Sequence, residues 1–103
     1  MILTLSKEQI ILLHKQLIER YGGSHGIRDE GLLDSALNAP FQSFGGMDFF
    51  PTVVDKAVRL CAGLVQNHPF YDGNKRIGAM ALLVMLGINQ VHLQRTFSET
   101  KFT

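Results

Sequence analysis

One nine-residue segment of this 103-residue chain brings together side chains suited to group transfer. It runs from His68 to Arg76 and reads His-Pro-Phe-Tyr-Asp-Gly-Asn-Lys-Arg. Histidine is the side chain that most readily exchanges a proton near neutral pH, aspartate binds hard divalent cations, and lysine and arginine bind phosphate oxygens. The segment therefore predicts a site where a base, a carboxylate and two cations act on a phosphorylated substrate.

The residues around this segment predict a helix, a turn and a second helix. Proline disfavours helical geometry at the residue before it, so Pro69 indicates that the preceding helix ends by about Asn67. Residues 72–74 are typical of a turn, and the apolar run 77–88 resumes at helical length. Unpaired N–H groups and the positive end of the helix dipole favour an anion at the start of such a helix. A phosphate group suits this position.

Each of these residues also has a purely structural interpretation. An Asp-Gly pair is common in turns, and Asp72 or Asn74 can serve only as the N-cap of the following helix. A histidine such as His68, taken alone, is more often a surface or capping residue than a base. Lys75 and Arg76 can be solvated, but cations at a helix N-terminus oppose the dipole, and this mismatch favours a bound anion.

The segment resembles the signature of the Fic/Doc family, His-x-Phe-x-Asp/Glu-Gly/Ala-Asn-Gly/Lys-Arg at the start of a buried helix. A second similarity lies upstream, where residues 26–37 read Gly-Ile-Arg-Asp-Glu-Gly-Leu-Leu-Asp-Ser-Ala-Leu and Ala39-Pro40 follows. The resemblance covers roughly residues 5–89. It implies a single all-α domain over residues 1–103, compact and Fic/Doc-like with a short hairpin-like flap, in which 90–103 is an atypical or truncated C-terminal tail.

The resemblance also implies a role for each matched position. His68 would be the catalytic base that takes the proton from a Ser, Thr or Tyr hydroxyl of a target protein, and Asp72 would bind Mg²⁺. Phe70 would anchor the loop in the core. The nucleotide substrate, ATP, would be held by the backbone amides and cationic side chains of the four residues after the aspartate, Gly73, Asn74, Lys75 and Arg76.

Two reactions occur in this family, and the position after the asparagine separates them. AMP-transferring members usually carry glycine there and often a second arginine three residues after the first, where this chain has Lys75 and Ala79. Both differences indicate the Doc branch, in which the terminal phosphoryl group of ATP is passed to a protein hydroxyl. We therefore expect a Doc-type protein kinase, the toxin of a toxin–antitoxin pair, acting on a translation factor such as elongation factor Tu. Protein AMP transfer and a catalytically silent domain that binds a nucleotide or a partner protein are the alternatives.

The inhibitor of such a toxin is expected to be a separate protein. Some family members carry an inhibitory helix of the form Ser/Thr-x-x-x-Glu-Gly/Asn in the same chain. Residues 4–8 match only the first half of that pattern, because Gln9 follows Glu8. The resemblance therefore implies an antitoxin protein as a partner.

Charge and composition argue against several other classes. The net charge is +1 at pH 7 and the cations are scattered, which argues against a nucleic acid partner. The single cysteine, Cys61, excludes a disulfide framework within the chain and lies among apolar residues, which predicts a buried thiol. The run 77–88 is too short to cross a bilayer and the N-terminus lacks a secretory signal, so no membrane partner and a cytoplasmic location are expected.

Helical periodicity accounts for most of the remaining chain. Ser6 is the expected cap of a first helix that ends near residues 21–23, and a second helix is expected to begin around Asp29. Pro51 predicts the first turn of the helix that leads to the nine-residue segment. The run 77–88 is apolar on all sides, which predicts a central helix surrounded by the others.

An aromatic segment interrupts the helices. Residues 41–50 carry Gly45-Gly46 between phenylalanines at 41, 44, 49 and 50, which predicts a hairpin-like flap. In the family, a similar flap beside the active site receives the target backbone as an added strand. The alternative is that these phenylalanines only cover the core.

Overall fold

The computed structural model describes residues 1–91, and within them the chain forms four α-helices and one small β-hairpin, which confirms the all-α prediction. The elements are α1 (Lys7–Tyr21), α2 (Glu30–Asn38), a 3₁₀ turn (Ala39–Phe41), β1 (Ser43–Phe44), β2 (Met47–Asp48), α3 (Val53–Asn67) and α4 (Asn74–Ile88). Helices α3 and α4 form the main packed pair, with α1 against α4 and α2 against α3. None of the helices in this range has the length and apolarity needed to cross a membrane. The predicted tail falls outside the described residues from position 92 onward.

Helix α1 begins at the predicted cap, Ser6, and α2 begins next to Asp29, where the sequence predicts its start. The Ser6 hydroxyl accepts a hydrogen bond from the Gln9 N–H at 3.2 Å, and the Gln9 side chain accepts one from the Ser6 N–H at 2.8 Å. The Asp29 carboxylate accepts from the Leu32 N–H at 2.9 Å and caps α2. Side-chain caps of this kind pair N–H groups that the helix itself cannot satisfy, and so they fix where each helix starts.

Helix α3 begins at Val53, so the prediction that Pro51 occupies its first turn is wrong. The Thr52 hydroxyl accepts from the Asp55 N–H at 3.0 Å, and the Asp55 carboxylate accepts from the Thr52 N–H at 3.4 Å. This capping box places the N-cap at Thr52 and leaves Pro51 outside the helix.

Two glycines let the helices approach α3 closely. A Cβ atom on Gly78 of α4 would lie 2.8 Å from Val65 Cγ2, and one on Gly63 of α3 would lie 3.2 Å from the Ala36 Cα atom of α2. Such contacts leave no room for larger side chains, so α3 is held tightly on two sides. The end of α3 and the start of α4 are therefore set at a fixed separation, with the loop of residues 68–73 between them.

Helix α4 is not surrounded on all sides as its sequence predicts. Ile77, Ala81 and Met85 are fully buried, but the side chain of Leu83 is 58% exposed. Within residues 1–91, α4 packs against α1 and α3, and the face that carries Leu83 remains open to solvent.

The flap, residues 41–50, is a hairpin as predicted. Its two short antiparallel strands pair Ser43 with Asp48 and Phe44 with Met47. Phe44 is 80% exposed and Phe49 is 59% exposed. These two phenylalanines do not cover the core, which contradicts the alternative interpretation of the segment.

A buried lysine joins the flap to α3. The Nζ atom of Lys56 donates hydrogen bonds to the carbonyl oxygens of Phe50 at 2.6 Å and Pro40 at 3.2 Å, and it lies 3.5 Å from the Asp48 carboxylate. Only 3% of Lys56 is exposed. Because these partners lie on both sides of the hairpin, one ammonium group holds both of its ends.

Replacing Lys56 with methionine is expected to lower the free energy of unfolding by about 1–3 kcal/mol, because two carbonyl oxygens lose their donor while the apolar stem is kept. Hydrogen exchange at residues 42–49 should also become faster than in the wild type. Urea unfolding and exchange mass spectrometry measure the two effects. Lys15→Met, at an exposed position on α1, is the matched control. Equal stability and exchange in the Lys56 and Lys15 variants would contradict this role.

Candidate active site

The loop between α3 and α4, residues 68–73, starts with a residue in an unusual conformation. His68 follows the last residue of α3 and has φ 52° and ψ 53°, in the left-handed region. Non-glycine residues adopt this region rarely, and the following Pro69 further restricts the backbone. The imidazole of His68 is exposed, whereas Pro69 and Phe70 are buried.

The upstream segment of residues 26–29 pairs with this loop. Ile27 and Phe70 form an antiparallel bridge, and the Tyr71 N–H donates to the Gly26 oxygen at 3.2 Å. The N–H groups of Arg28 and Asp29 both donate to the Pro69 oxygen, at 2.6 and 3.0 Å. The two motifs recognised in the sequence are therefore two sides of one structural unit.

Phe70 anchors the loop as predicted. It is 1% exposed, and its ring stacks on the imidazole of His14 with a centroid distance of 3.7 Å and an interplanar angle of 10°. The Nε2–H of His14 donates to the Asp72 carbonyl oxygen at 2.7 Å. Burial lowers the pKa of His14 below 6.5, against the raising effect of that carbonyl, and so favours the neutral form of the ring.

His14 is a site residue that the sequence motifs do not identify. Its position four residues after Ile10 and three before Leu17 puts it on the buried stripe of α1. A histidine at a core position of an amphipathic helix is the available signal, because a buried imidazole needs a polar partner. Here the partner is the backbone of the loop.

The side chain of Asn74 closes the loop from the other end. Its Oδ1 atom accepts from the Phe70 N–H at 3.0 Å, and its Nδ2 donates to the Phe70 oxygen at 3.0 Å. Asn74 is buried at 4% exposure. Its amide is therefore engaged in the structure, and the backbone N–H is the group it can offer to an anion.

The Asp72 carboxylate is oriented by two backbone amides. Oδ1 accepts from the Gly73 N–H at 3.2 Å, and Oδ2 accepts from the Ser24 N–H at 3.1 Å. Gly23 makes room for this arrangement, because a Cβ atom there would lie 2.9 Å from Asp72 Oδ2. The carboxylate is exposed yet fixed beside the loop that follows α1.

The first turn of α4 presents unpaired N–H groups. Gly73 is the N-cap with φ 74°, and the Ile77 N–H donates to its oxygen at 2.9 Å. The N–H groups of Asn74, Lys75 and Arg76 have no acceptor among the residues that the structure describes. They supply the fixed partial positive charge expected of an anion site at a helix N-terminus.

The two cations at this turn differ in their restraint. Nη1 of Arg76 donates to the Gly22 oxygen at 2.8 Å, and the guanidinium lies 5.8 Å from the centre of the Tyr21 ring. Lys75 is exposed, and its side chain makes no hydrogen bond or ion pair with any residue between 1 and 91. Arg76 is thus a positioned charge and Lys75 a movable one.

All six residues predicted for the site line a single cavity of about 330 Å³ at the junction of α3 and α4. They are His68, Asp72, Gly73, Asn74, Lys75 and Arg76, and Val65 completes the lining. A larger cavity of about 370 Å³ lies beside α2, where Lys7 Nζ is 2.8 Å from Asp34 Oδ1. That cavity contains no histidine and its cation is already paired, so the smaller cavity is the better candidate.

The Asp72 carboxylate suits a magnesium ion that is shared with a phosphate. No three of the His, Cys, Asp and Glu residues within positions 1–91 are grouped closely enough to hold a metal by themselves. Each Asp72 oxygen accepts a single backbone hydrogen bond, and a carboxylate oxygen has a further lone pair for a cation. Mg²⁺ commonly takes one or two carboxylates and completes its shell with phosphate oxygens and water.

Arg28 contacts the backbone of the candidate base. Its Nε–H donates to the His68 oxygen at 2.7 Å, and its Nη2 donates to the Asn67 oxygen at 3.1 Å. In the sequence, Arg28 stands out only as part of the upstream similarity. The sequence does not indicate which group Arg28 contacts, because that contact depends on the upstream segment pairing with the loop of residues 68–73.

Replacing His14 with glutamine is expected to remove part of the pH dependence of stability. The pKa of His14 is lowered in the folded protein, so the unfolded chain binds the extra proton as the pH falls through about 6.5. The free energy of unfolding of the wild type should therefore decrease as the pH falls below that value, because the unfolded state binds more protons than the folded state. Urea unfolding between about pH 7.5 and 5 measures the slope.

His25→Gln is the control for this measurement, because His25 is exposed and affects the pKa of His14 less than burial does. The His25 variant should keep most of the wild-type slope, because burial is the larger cause of the lowered His14 pKa. An identical slope in the wild type and the His14 variant would show that His14 does not couple folding to pH.

Comparisons with known proteins agree with this geometry. Residues 4–86 match the family model described as Fic/DOC family. The chain is also 42% identical over 77 residues to Toxin Doc of Mycolicibacterium smegmatis, an alignment that covers 75% of this chain and 59% of that protein. No solved structure matches the chain significantly. These findings confirm the predicted resemblance to the Doc branch, and the chain belongs to the Fic/DOC family.

Proposed function

We propose that this chain carries the active site of a Doc-type protein kinase, which transfers the terminal phosphoryl group of ATP to a hydroxyl group of a target protein. The observation that carries the proposal is the single cavity at the α3–α4 junction. It joins an exposed histidine, a fixed carboxylate, two cations and three N–H groups that have no acceptor among residues 1–91. A base beside an anion site is the arrangement that phosphoryl transfer to a hydroxyl needs.

In this proposal His68 is the general base, and the start of α4 binds the phosphate groups. His68 accepts the proton of the target hydroxyl, whose oxygen attacks the terminal phosphorus atom. A new P–O bond forms to the target, the bond between that phosphorus and the bridging oxygen breaks, and ADP leaves. The N–H groups of Asn74, Lys75 and Arg76 hold phosphate oxygens, and the positive end of the α4 dipole stabilises their charge.

Asp72 would hold the magnesium ion. When bound, Mg²⁺ neutralises charge on the phosphate oxygens and orients them. The hydrogen bonds from Ser24 and Gly73 fix the Asp72 carboxylate before any ligand arrives, so little reorganisation is required at that residue.

The choice of phosphoryl over AMP transfer rests on Lys75 and on the similarity to Toxin Doc. A lysine at this position brings bulk and a movable charge where a glycine would let the nucleotide approach the backbone. In this chain Lys75 is exposed and unpaired among the described residues, so it is available to a phosphate. The alignment covers only 59% of the length of Toxin Doc, so the activity of that whole protein enters here as a proposal.

The same relationship suggests the partners. We propose an antitoxin protein as the inhibitor and a translation factor such as elongation factor Tu as the target, both in the cytoplasm. The flap offers the target an exposed cross-strand pair, Phe44 and Met47, on short strands whose outer edges can accept another strand.

Replacing His68 with alanine is expected to lower the rate of phosphoryl transfer by about 10²-fold or more, since a general base contributes about 10²–10⁴. Candidate translation factors are incubated with this chain, ATP and Mg²⁺, and intact-mass spectrometry detects the added group. His25→Ala is the matched control because His25 is an exposed histidine outside the cavity.

The mass that is added distinguishes the proposals. A phosphoryl-sized increase that the His68 variant abolishes supports the kinase, and an AMP-sized increase means that the argument from Lys75 is wrong. The absence of any increase on every target would favour a catalytically silent domain.

Replacing Lys75 with alanine should raise the KM for ATP by about tenfold to a hundredfold, because a charge-assisted hydrogen bond to phosphate contributes about 1.5–3 kcal/mol. Steady-state kinetics with varied ATP measures this change, and isothermal titration with a non-hydrolysable ATP analogue measures it without a target. Lys15→Ala on α1 serves as the control. An unchanged ATP affinity in the Lys75 variant would remove Lys75 from the phosphate site.

A further inference from the structure

We propose that Arg28 is a positioning residue that holds the backbone of the catalytic base, an inference that rests on the proposed role of His68. Arg28 does not line the cavity, and its contacts are to the polypeptide rather than to the space where a nucleotide would lie. Its effect on the reaction would therefore pass through His68.

The conformation of His68 needs support from elsewhere in the chain. The residue has φ 52° and ψ 53°, and it precedes a proline. A non-glycine residue in this region is strained, and such strain persists where surrounding contacts fix the backbone. Without those contacts the peptide between Asn67 and Pro69 has lower-energy conformations, and each would aim the imidazole in a different direction.

Three successive carbonyl groups supply that support through one residue. The guanidinium of Arg28 binds the oxygens of Asn67 and His68, and the backbone N–H of Arg28 donates to the Pro69 oxygen. The peptide planes on both sides of His68 are thus fixed by the same partner. A planar guanidinium can bridge two neighbouring oxygens in a set direction, whereas a lysine ammonium has no such fixed geometry.

The charge of Arg28 is also well placed for the end of α3. The last turn of α3 contains no basic residue, although the final carbonyls of a helix carry partial negative charge. Arg28 brings a cation to this point from the segment before α2. Its own backbone is fixed by the bridge between Ile27 and Phe70 and by the N-cap at Asp29.

Loss of these contacts should affect transfer more than nucleotide binding. The phosphate-binding N–H groups belong to the first turn of α4, which Arg28 does not contact. His68, in contrast, would lose the fixed direction of its imidazole. Misplacing a reacting group by about 1 Å can cost about 10²-fold in rate.

The test compares Arg28→Ala and Arg28→Lys with the wild type by two readouts. The ¹³Cα and ¹³Cβ chemical shifts of His68 report whether its backbone is left-handed, and they need neither a target nor nucleotide. Steady-state kinetics on the phosphorylated target gives kcat and the KM for ATP. We expect Arg28→Ala to move the His68 shifts out of the left-handed range and to lower kcat about 10²-fold with the KM for ATP unchanged.

Arg28→Lys keeps the charge and the backbone N–H but loses the bridge, so both readouts should fall between those of the wild type and the alanine variant. Ethylguanidine added to Arg28→Ala should restore part of kcat. Arg20→Ala, an exposed arginine on α1 whose side chain lies over Tyr21, should match the wild type in both readouts. If Arg28→Ala does not fold, the lysine variant carries the same comparison.

Wild-type shifts for His68 in the folded Arg28 variants would overturn the inference whatever the enzymatic result. A rise in the KM for ATP with no change in kcat in the Arg28→Ala variant would overturn it as well. If the wild type transfers no group to any target, the proposed function fails, and the chemical shifts still decide whether Arg28 holds His68.

Discussion

The burial of Phe70 is the constraint on which this structure depends. Phe70 is 1% exposed and Pro69 is buried beside it, whereas His68, Tyr71 and Asp72 of the same loop are exposed. Burial of the ring takes the adjacent peptide groups out of water, and each then needs a hydrogen-bond partner. Asn74 pairs both polar groups of Phe70, and the segment before α2 pairs the groups on either side of it. A single apolar anchor thus determines where the polar residues of the loop can be.

The end of α3 and the start of α4 meet at this loop, and their terminal backbone groups differ in whether they have partners. The carbonyls at the end of α3 receive a cation, Arg28, and the His14 imidazole pairs a loop carbonyl from the side of α1. The N–H groups at the start of α4 receive no acceptor from the described residues, and Lys75 and Arg76 stand beside them. The carbonyl groups at the end of α3 are thus paired, whereas the N–H groups at the start of α4 lack an acceptor among residues 1–91, which is the arrangement that favours an anion at that helix end.

Sequence reasoning succeeded where local chemistry decides the structure. The cap at Ser6, the start of α2 near Asp29, the end of α3 before Pro69 and the hairpin at residues 41–50 each depend on a few neighbouring residues. The candidate site residues could also be predicted together, because they lie in one continuous segment of the chain. Sequence reasoning failed where the partner is distant in sequence: His14 lies 58 positions from Asp72, and Arg28 lies 40 from His68. Periodicity gave no warning that one face of α4 stays open at Leu83.

The two cations at the start of α4, Lys75 and Arg76, differ in how their charges are compensated. A cation close to a helix N-terminus opposes the dipole, so the charges of Lys75 and Arg76 are unfavourable beside the first turn of α4. Arg76 offsets this by bonding to the end of α1, where its charge meets the carbonyl of Gly22. Lys75 has no such compensation among residues 1–91, and a bound phosphate would provide it. If the proposed phosphate site is right, binding of an anion would offset the unfavourable interaction between these cations and the α4 dipole as well as add hydrogen bonds.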